Sequence, residues 1–201
     1  MADYRTYDPN AVAPFLRVRD LYGPFSNMAA GYPIRLDGAT IGSSEALYQA
    51  LRFPHLPVFQ REVLDQPAPI LAKRHAYTRV AETRPDWDRV KVNVMRYVLR
   101  AKFGSTQGPL LELLRGTDEA PIVEVSHRDD YWGARPVDGR LLGRNVLGRL
   151  LMELRAELRD HPSGTPLMIE PRFPDPMLLG RPLRPDWCGP DVSGGPEPDL
   201  L

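Results

Sequence analysis

The chain has 201 residues, 42% hydrophobic and 26% charged, which is the size and composition of one globular domain. Its 26 basic and 26 acidic residues cancel, so no global field draws it onto nucleic acid or anionic lipid. A fibrous chain, a coiled coil and a mostly disordered chain are excluded, and the single cysteine, Cys188, excludes a disulfide framework and a cysteine-based zinc site.

No apolar run approaches the ~20 residues of a membrane span. The opening residues Met1 to Arg5 carry neither a basic nor an apolar signal region, so a cytoplasmic protein is expected. Cys188 sits in a Pro/Gly-rich stretch and reads as an incidental thiol.

In chain order, Pro33 to Ile41 predicts a small hairpin around Asp37-Gly38. Ser43 and Ser44 are N-cap candidates for a helix running to Phe53, where Pro54 stops it. Ile70 to Ala76 is a second, short helix. Pro85 opens a long helix with Asp86 in its first turn. Val90, Val94, Val98 and Ala101 form its buried stripe, and Gly104 ends it. Leu110, Leu111, Leu113 and Leu114 predict a short helix closing at Gly116. Ile122 to Val125 reads as a short strand. The last helix starts near Asn145, with Val146, Leu150, Leu154 and Leu158 on its buried face.

Residues 161–201 hold ten prolines and five glycines, with three basic against six acidic residues. That density breaks helices and interrupts strands. An irregular extension is expected, pinned to the body by Phe173, Met177, Leu178, Leu179 and Trp187, with a disordered end from about Val192. No internal repeat is present. The predicted fold class is mainly α: a compact helical domain, residues 1–160, with a few short β-strands and an irregular Pro-rich C-terminal extension.

The familiar phosphate-loop, dinucleotide, zinc-protease and serine-elbow motifs are absent. His55, His75, His127 and His161 lack metal-ligand spacing, so no metal is expected. Glu45, Tyr48, Gln49 and Arg52 share one face of the helix after Ser44. Two readings stand. The face is the solvated side of an ordinary amphipathic helix, or Glu45 is a catalytic carboxylate held as an anion by the free N–H groups of the first turn. Asp129-Asp130-Tyr131-Trp132-Gly133 is either a loop anchor with exposed acids or a ligand-binding cluster whose aromatic rings stack on a base or sugar. Pro24-Phe25-Ser26-Asn27 is a turn whose polar side chains bind a ligand or cap the turn. Lysine occurs only at Lys73, Lys91 and Lys102 against 23 arginines. This hints that some positions need an ammonium, which a guanidinium does not replace in proton transfer or Schiff-base chemistry.

Several of these segments match one pattern in order. Phe25-Ser26-Asn27 comes first, then Ser44-Glu45-x-x-Tyr48-Gln49-Ala50-x-Arg52-Phe53. Ala72-Lys73, Arg84-x-Asp86-Trp87, Val94-Met95 and Ala101-Lys102-Phe103 follow. Leu114-x-x-Thr117, Val123-Glu124, Asp130-Tyr131-Trp132-Gly133 and Gly143-x-Asn145-x-Leu147-Gly148-x-Leu150-Leu151-Met152 complete it. Over residues 15–160 the chain resembles the NADAR family, also called YbiA-like.

The resemblance implies a compact, mainly helical fold and a glycosidase that cleaves an N-glycosidic bond between ribose and a base-like nitrogen, without a cofactor. Two substrate classes are implied. One is ADP-ribose attached to guanine in DNA or a nucleotide, where the enzyme is the antidote and partner of a DarT-type ADP-ribosyltransferase toxin. The other is the phosphorylated ribosylamino-pyrimidine intermediates of riboflavin biosynthesis. The family's catalytic glutamate falls on Glu45, its tryptophans on Trp87 and Trp132, and its late-loop aspartate on Asp130, a second catalytic residue that would orient the ribose or handle the proton needed by the leaving nitrogen. On the same grounds Ser26, Asn27, Lys102 and Asn145 are pocket residues. Tyr48, Gln49 and Tyr131 join them as binding residues. Arg52, Arg135 or Lys102 would neutralise phosphate, and Lys102 would alternatively attack as an amine. A non-catalytic ADP-ribose- or NAD-binding module is the reading from another class.

Departures exist. Better-known members read His-x-x-Gln-Ala-x-Lys-Phe near the glutamate, whereas Leu47 to Phe53 here ends in Arg52-Phe53. The stretch Ala134 to Gly139 is not the family's glycine-rich one, and residues after 160 have no family counterpart. The Leu-Tyr-Gln-Ala-x-Arg-Phe-Pro variant with its extension resembles the toxin-associated branch more than the riboflavin branch.

Overall fold

The computed structural model describes residues 3–36, 38–106, 108–162 and 165–188. In chain order it builds β1 (Arg5–Tyr7), β2 (Ala13–Phe15), β3 (Ile34–Leu36), β4 (Ala39–Ile41), α1 (Ser44–Ala50), α2 (Pro57–Leu64), α3 (Pro69–Tyr77) and α4 (Trp87–Ser105). Then come α5 (Pro109–Arg115), β5 (Ile122–Glu124), β6 (Arg135–Val137), β7 (Arg140–Gly143), α6 (Val146–Glu157), β8 (Leu167–Ile169), β9 (Met177–Leu178), β10 (Arg181–Pro182) and β11 (Asp186–Cys188). Among the described residues no helix is long and apolar enough to cross a membrane.

The expectation of a mainly α fold is corrected here. About 37% of residues are helical and 19% lie in strands spread over several small sheets, so the fold is α/β. Apart from β3, β4 and β5, the strands were hidden because each is only two to four residues long, too short to show an alternating pattern. Their pairing joins distant segments. β1, β7 and β6 form an antiparallel sheet, and β2 lies parallel to β5 with Phe15 opposite Glu124. β3 and β4 form the predicted hairpin, of whose turn residues Asp37 lies outside the described residues.

Helices follow the apolar stripes. Val90, Val94, Val98 and Ala101 of α4 are buried, as are Val146, Leu150 and Leu154 of α6 and Leu158 just after it. α2 is not among the predicted elements. Pro57 occupies its first turn, and Phe59 and Val63, one turn apart, face the core. α1 is the centre of the packing: all seven of its residues are buried. Its flanking Leu51 and Phe53 are at most 1% exposed, and full burial of such a side chain is worth roughly 1.5–3 kcal/mol.

The extension is also corrected. It is not irregular: β8 pairs with β11 and β9 with β10. Phe173 packs edge-on against Tyr97 at 5.9 Å, and Leu178 is buried. Trp187 does not pin it, being 52% exposed; Cys188, its neighbour on the other strand face, is buried beside Gly104 instead. Polar clamps complete the attachment. Gln60 donates to the Met177 carbonyl and accepts from the Leu179 N–H, and the Arg84 guanidinium donates to the Pro174 carbonyl. The expected disordered end from Val192 lies outside the described residues.

Asn145 locks the two halves of the body together. It takes a left-handed backbone (φ 47°), which asparagine tolerates better than most residues. Its Nδ2 donates to the Ile122 carbonyl at 2.8 Å and its Oδ1 accepts from the Glu124 N–H at 3.1 Å. Gly148 lets α6 sit hard against this junction: a Cβ there would lie 2.1 Å from the Ile122 carbonyl oxygen. Asn145→Ala is expected to lower stability by about 1–3 kcal/mol for each buried backbone group left unpaired, read as a fall in the urea midpoint.

Candidate active site

Ser43 sets the site's geometry. Its extended backbone and its hydroxyl, which accepts the Ala46 N–H at 3.2 Å, start α1 so that Glu45 falls in the first turn. The polar face of α1 is not solvated. It lines a cavity of about 250 Å³ closed by α3, α4, β5 and the 129–132 loop.

A hydrogen-bond relay runs along that face. Gln49 Nε2 donates to Glu45 Oε1 at 2.8 Å. Arg52 Nη1 donates to Gln49 Oε1 at 3.0 Å, and Arg52 Nη2 to Thr83 Oγ1 at 3.1 Å. The Arg52 guanidinium carbon lies 5.1 Å from the Tyr77 ring centre and 5.2 Å from that of Trp87, a cation–π arrangement. Among the described residues its Nε is buried without a partner, as is Asn27 Oδ1, whose amide nitrogen donates to Met95 Sδ. Two lining residues thus hold an unused polar atom. Buried polar groups are normally paired, so both atoms depart from the usual pattern.

Aromatic rings form one wall. Tyr48 lies 5.1 Å from Trp87 and 5.8 Å, edge-on, from Trp132. Trp132 is placed by its own loop. Asp129 Oδ1 accepts the N–H groups of both Tyr131 and Trp132 at 2.9 Å. Gly133 then passes so close to β5 that a Cβ would lie 2.5 Å from the Glu124 carbonyl oxygen.

The electrostatics differ from a simple helix-terminus picture. Glu45 is 5% exposed, and burial raises its pKa against the opposing pull of Gln49, Lys73 and Arg52. Glu124 is pushed up to about 7 by burial and by the negative charges of Asp129 and Glu45. The Tyr48 phenol is held well above its usual range by burial and by Glu45, so it stays protonated. Lys73 opposes the rise at both glutamates and makes no hydrogen bond or ion pair among the described residues. Two carboxyl groups with raised pKa values thus share one cavity, an arrangement suited to acid–base chemistry. Among the described residues no group of three His, Cys, Asp or Glu side chains is placed to hold a metal ion.

Of the sequence-predicted residues, Glu45, Ser26, Asn27, Tyr48, Gln49, Arg52, Trp87 and Trp132 line this one cavity. Five others do not. The Lys102 ammonium is fully buried between the Pro24 and Ser26 carbonyls at 2.6 and 2.8 Å, and burial lowers its pKa to about 7. Asp130 faces outward, near Arg135 at 4.0 Å and hydrogen-bonded with Tyr4. Arg135 is exposed on β6. Tyr131 lies outside the lining, with Lys91 and Arg144 over its ring at 4.5 and 4.6 Å. Asn145 spends its amide on the backbone, as described above. Lys73, Lys91, Glu124 and Asp129 line the cavity without having been assigned a role. Their signals were present: two of the three lysines, the Val123-Glu124 pair and the first acid of the Asp-Asp doublet.

A model of the NADAR domain matches residues 14–159. The chain belongs to the NADAR family. It is 40% identical over 149 residues to N-glycosidase YbiA of Escherichia coli, covering 74% of this chain and 89% of that protein. An N-glycosidase of Nostoc punctiforme is 31% identical over 152 residues, 73% of this chain and 92% of its own. A riboflavin biosynthesis protein of Vibrio vulnificus is 37% identical over 145 residues, 70% of this chain but only 38% of that longer protein. The NMR structure of E. coli YbiA superposes with a TM-score of 0.65 at 38% identity, covering 79% of this chain and 87% of that one. The relatives named N-glycosidase support a hydrolase acting on N-glycosyl bonds.

Gln49→Leu removes the neutral donor that favours the Glu45 anion, so the Glu45 pKa rises further. For a reaction that needs the anion, the acid limb of the kcat profile moves to higher pH. A pH–rate series on wild type and variant checks it; an unmoved limb would separate Glu45 from the rate.

Proposed function

We propose that this N-glycosidase removes ADP-ribose from guanine in nucleic acid, as the antidote to a DarT-type transferase toxin, with Glu45 beside the reacting carbon. The observation that carries the reading is a buried glutamate facing a polar, aromatic-walled cavity of about 250 Å³. The relatives' names support the bond class. Breaking the anomeric C–N bond builds positive charge on ribose, an oxocarbenium-like state. A fixed carboxylate in a site shielded from water stabilises that charge more than water does. A module that only bound ADP-ribose would gain nothing from burying one.

Several features favour a polymer-borne substrate. The cavity is smaller than the ~300–1,000 Å³ of typical ligand sites, so a ribose and one ring fill it while the rest of the substrate extends outside. Lys73, Lys91 and Arg52 line it and suit the diphosphate. Residues 1–160 carry 23 basic and 20 acidic residues, so the body is slightly positive once the acidic extension is set aside. Lys102 and Asp130 take no part in the chemical step, since neither reaches the cavity. Lys102 holds the Pro24–Ser26 turn that presents Ser26 and Asn27.

A second reading is hydrolysis of phosphorylated ribosylamino-pyrimidines. It is favoured by the riboflavin-biosynthesis relatives and by the small cavity, which holds such a molecule almost whole. Release of ADP-ribose from guanine-ADP-ribosylated single-stranded DNA, followed by mass spectrometry, separates the two. Wild type is expected to release it and Glu45→Gln to be at least about 10³-fold slower, with its thermal midpoint retained. Near wild-type turnover by Glu45→Gln defeats the assignment, and a silent wild type turns the search to the ribosylamino-pyrimidines.

A further inference from the structure

We propose that Glu124 is the general acid of this reaction, the group that passes a proton to the departing nitrogen. The inference rests on the N-glycosidase reading and deepens it. Leaving-group nitrogen of a neutral base departs poorly as an anion, so glycosidic cleavage needs a proton donor as well as a stabiliser of the ribosyl cation.

The geometry singles out Glu124. β5 and α1 bring Glu124 and Glu45 to the same cavity. The Glu124 backbone is fixed from three sides: its N–H donates to Asn145 Oδ1, its carbonyl accepts the Ala134 N–H at 2.8 Å, and β2 pairs with it through Phe15. Its carboxyl, by contrast, makes no hydrogen bond or ion pair among the described residues. A rigid backbone under an uncommitted side chain is the arrangement expected of a group that acts on a ligand rather than on the fold.

The other acids are accounted for. The Asp129 carboxylate is committed to the Tyr131 and Trp132 N–H groups. Asp130 faces Tyr4 and Arg135, outside the cavity. Glu45 accepts from Gln49 and is the better anion, since Lys73 and Arg52 both favour its charge. The charged groups facing Glu124 are Glu45 from α1, Asp129 from the loop and Lys73 from α3; the two acids keep its proton on and the lysine opposes them.

The step balances. The bond from the anomeric carbon of the attached ADP-ribose (C1′ of that ribose, not of the nucleotide) to the guanine nitrogen breaks and its electron pair leaves on nitrogen, which takes the Glu124 proton. A water oxygen forms the new C1′–O bond, and in net that water's proton replaces the one Glu124 gave. No oxidant, reductant or metal is consumed.

The test compares wild type, Glu124→Gln, Glu124→Asp and Glu45→Gln on two substrates. One is guanine-ADP-ribosylated single-stranded DNA. The other is the same DNA with the modified guanine also methylated on its ring, so that the base is cationic and leaves without a proton. On the first, Glu124→Gln is expected to lose on the order of 10²–10⁴-fold in kcat with KM little changed. Wild-type kcat falls as pH rises through about 7, because the acid form is depleted there; the Gln variant lacks that limb. Glu124→Asp keeps the limb at reduced rate, which a merely structural role would not give. On the methylated substrate Glu124→Gln recovers most of its rate while Glu45→Gln does not. Equal losses on both substrates, or a high-pH limb that survives Glu124→Gln, overturn the assignment and leave the glycosidase reading standing. A wild type inactive on these DNAs and on ribosylamino-pyrimidine phosphates overturns both.

Discussion

Burying one carboxylate at the centre of α1 is the constraint around which the rest is arranged. An isolated ionised carboxylate is expensive in an apolar interior unless it is paired and hydrogen-bonded. Glu45 is given one direct donor, Gln49, and two cations at longer range, Lys73 and Arg52. Each of these needs support in turn. Gln49 is held by Arg52, and Arg52 by Thr83 and by the faces of Tyr77 and Trp87. The Arg52 carbonyl accepts the Arg84 N–H, and the Arg84 side chain clamps Asp86 and the extension. A continuous polar path therefore runs from the cavity to the segment that follows the family domain. The part-buried Arg84–Asp86 pair at 2.6 Å, with its guanidinium out of solvent, is less screened than the exposed ion pairs elsewhere, which contribute little.

A second constraint acts on the opposite side of the cavity. Glu124, Trp132 and Asn145 belong to three segments that must meet within a few ångström. Two glycines permit it: Gly133 lets the loop touch β5, and Gly148 lets α6 touch it. Asn145 then satisfies the backbone groups that this crowding leaves without strand partners. Its side chain serves the architecture, which explains how a residue inside a family block stands outside the cavity lining.

The helices of the body were legible because their stripes are long. Val90 to Ala101 and Val146 to Leu158 repeat over three turns or more, and Ser43 and Gly116 are punctuation that local sterics enforce; α4 starts two residues after the expected Pro85, at Trp87 with Asp86 as its cap. β1 and β2 were not legible, since they have three residues each and gain their stability from partners far away in sequence; β6, as short, pairs with its neighbour β7. β8 to β11 lie in a proline-rich stretch that propensity assigns to coil; pairing and packing on α4 and α2 override it. In the site, the α1 face was legible as a periodicity. The choice between Asp129 and Asp130 was not: neighbours in a loop point in different directions, and only the turn that Asp129 makes with two N–H groups decides which one faces the cavity.

The lysines show how far a composition signal carries. Lys73 and Lys91 line the cavity, where a compact ammonium leaves room for substrate that a guanidinium fork would occupy. Lys102 has a different reason to be lysine. It is fully buried between two carbonyls in a space that excludes water, and burial brings its titration down to about 7. An amine can shed its proton there and still donate two hydrogen bonds, one to each carbonyl. A guanidinium cannot be neutralised, so an arginine at the same place would carry an unpaired charge into the core. The scarcity of lysine therefore goes with two separate settings, one lining the cavity and one holding the turn that presents Ser26 and Asn27 to it.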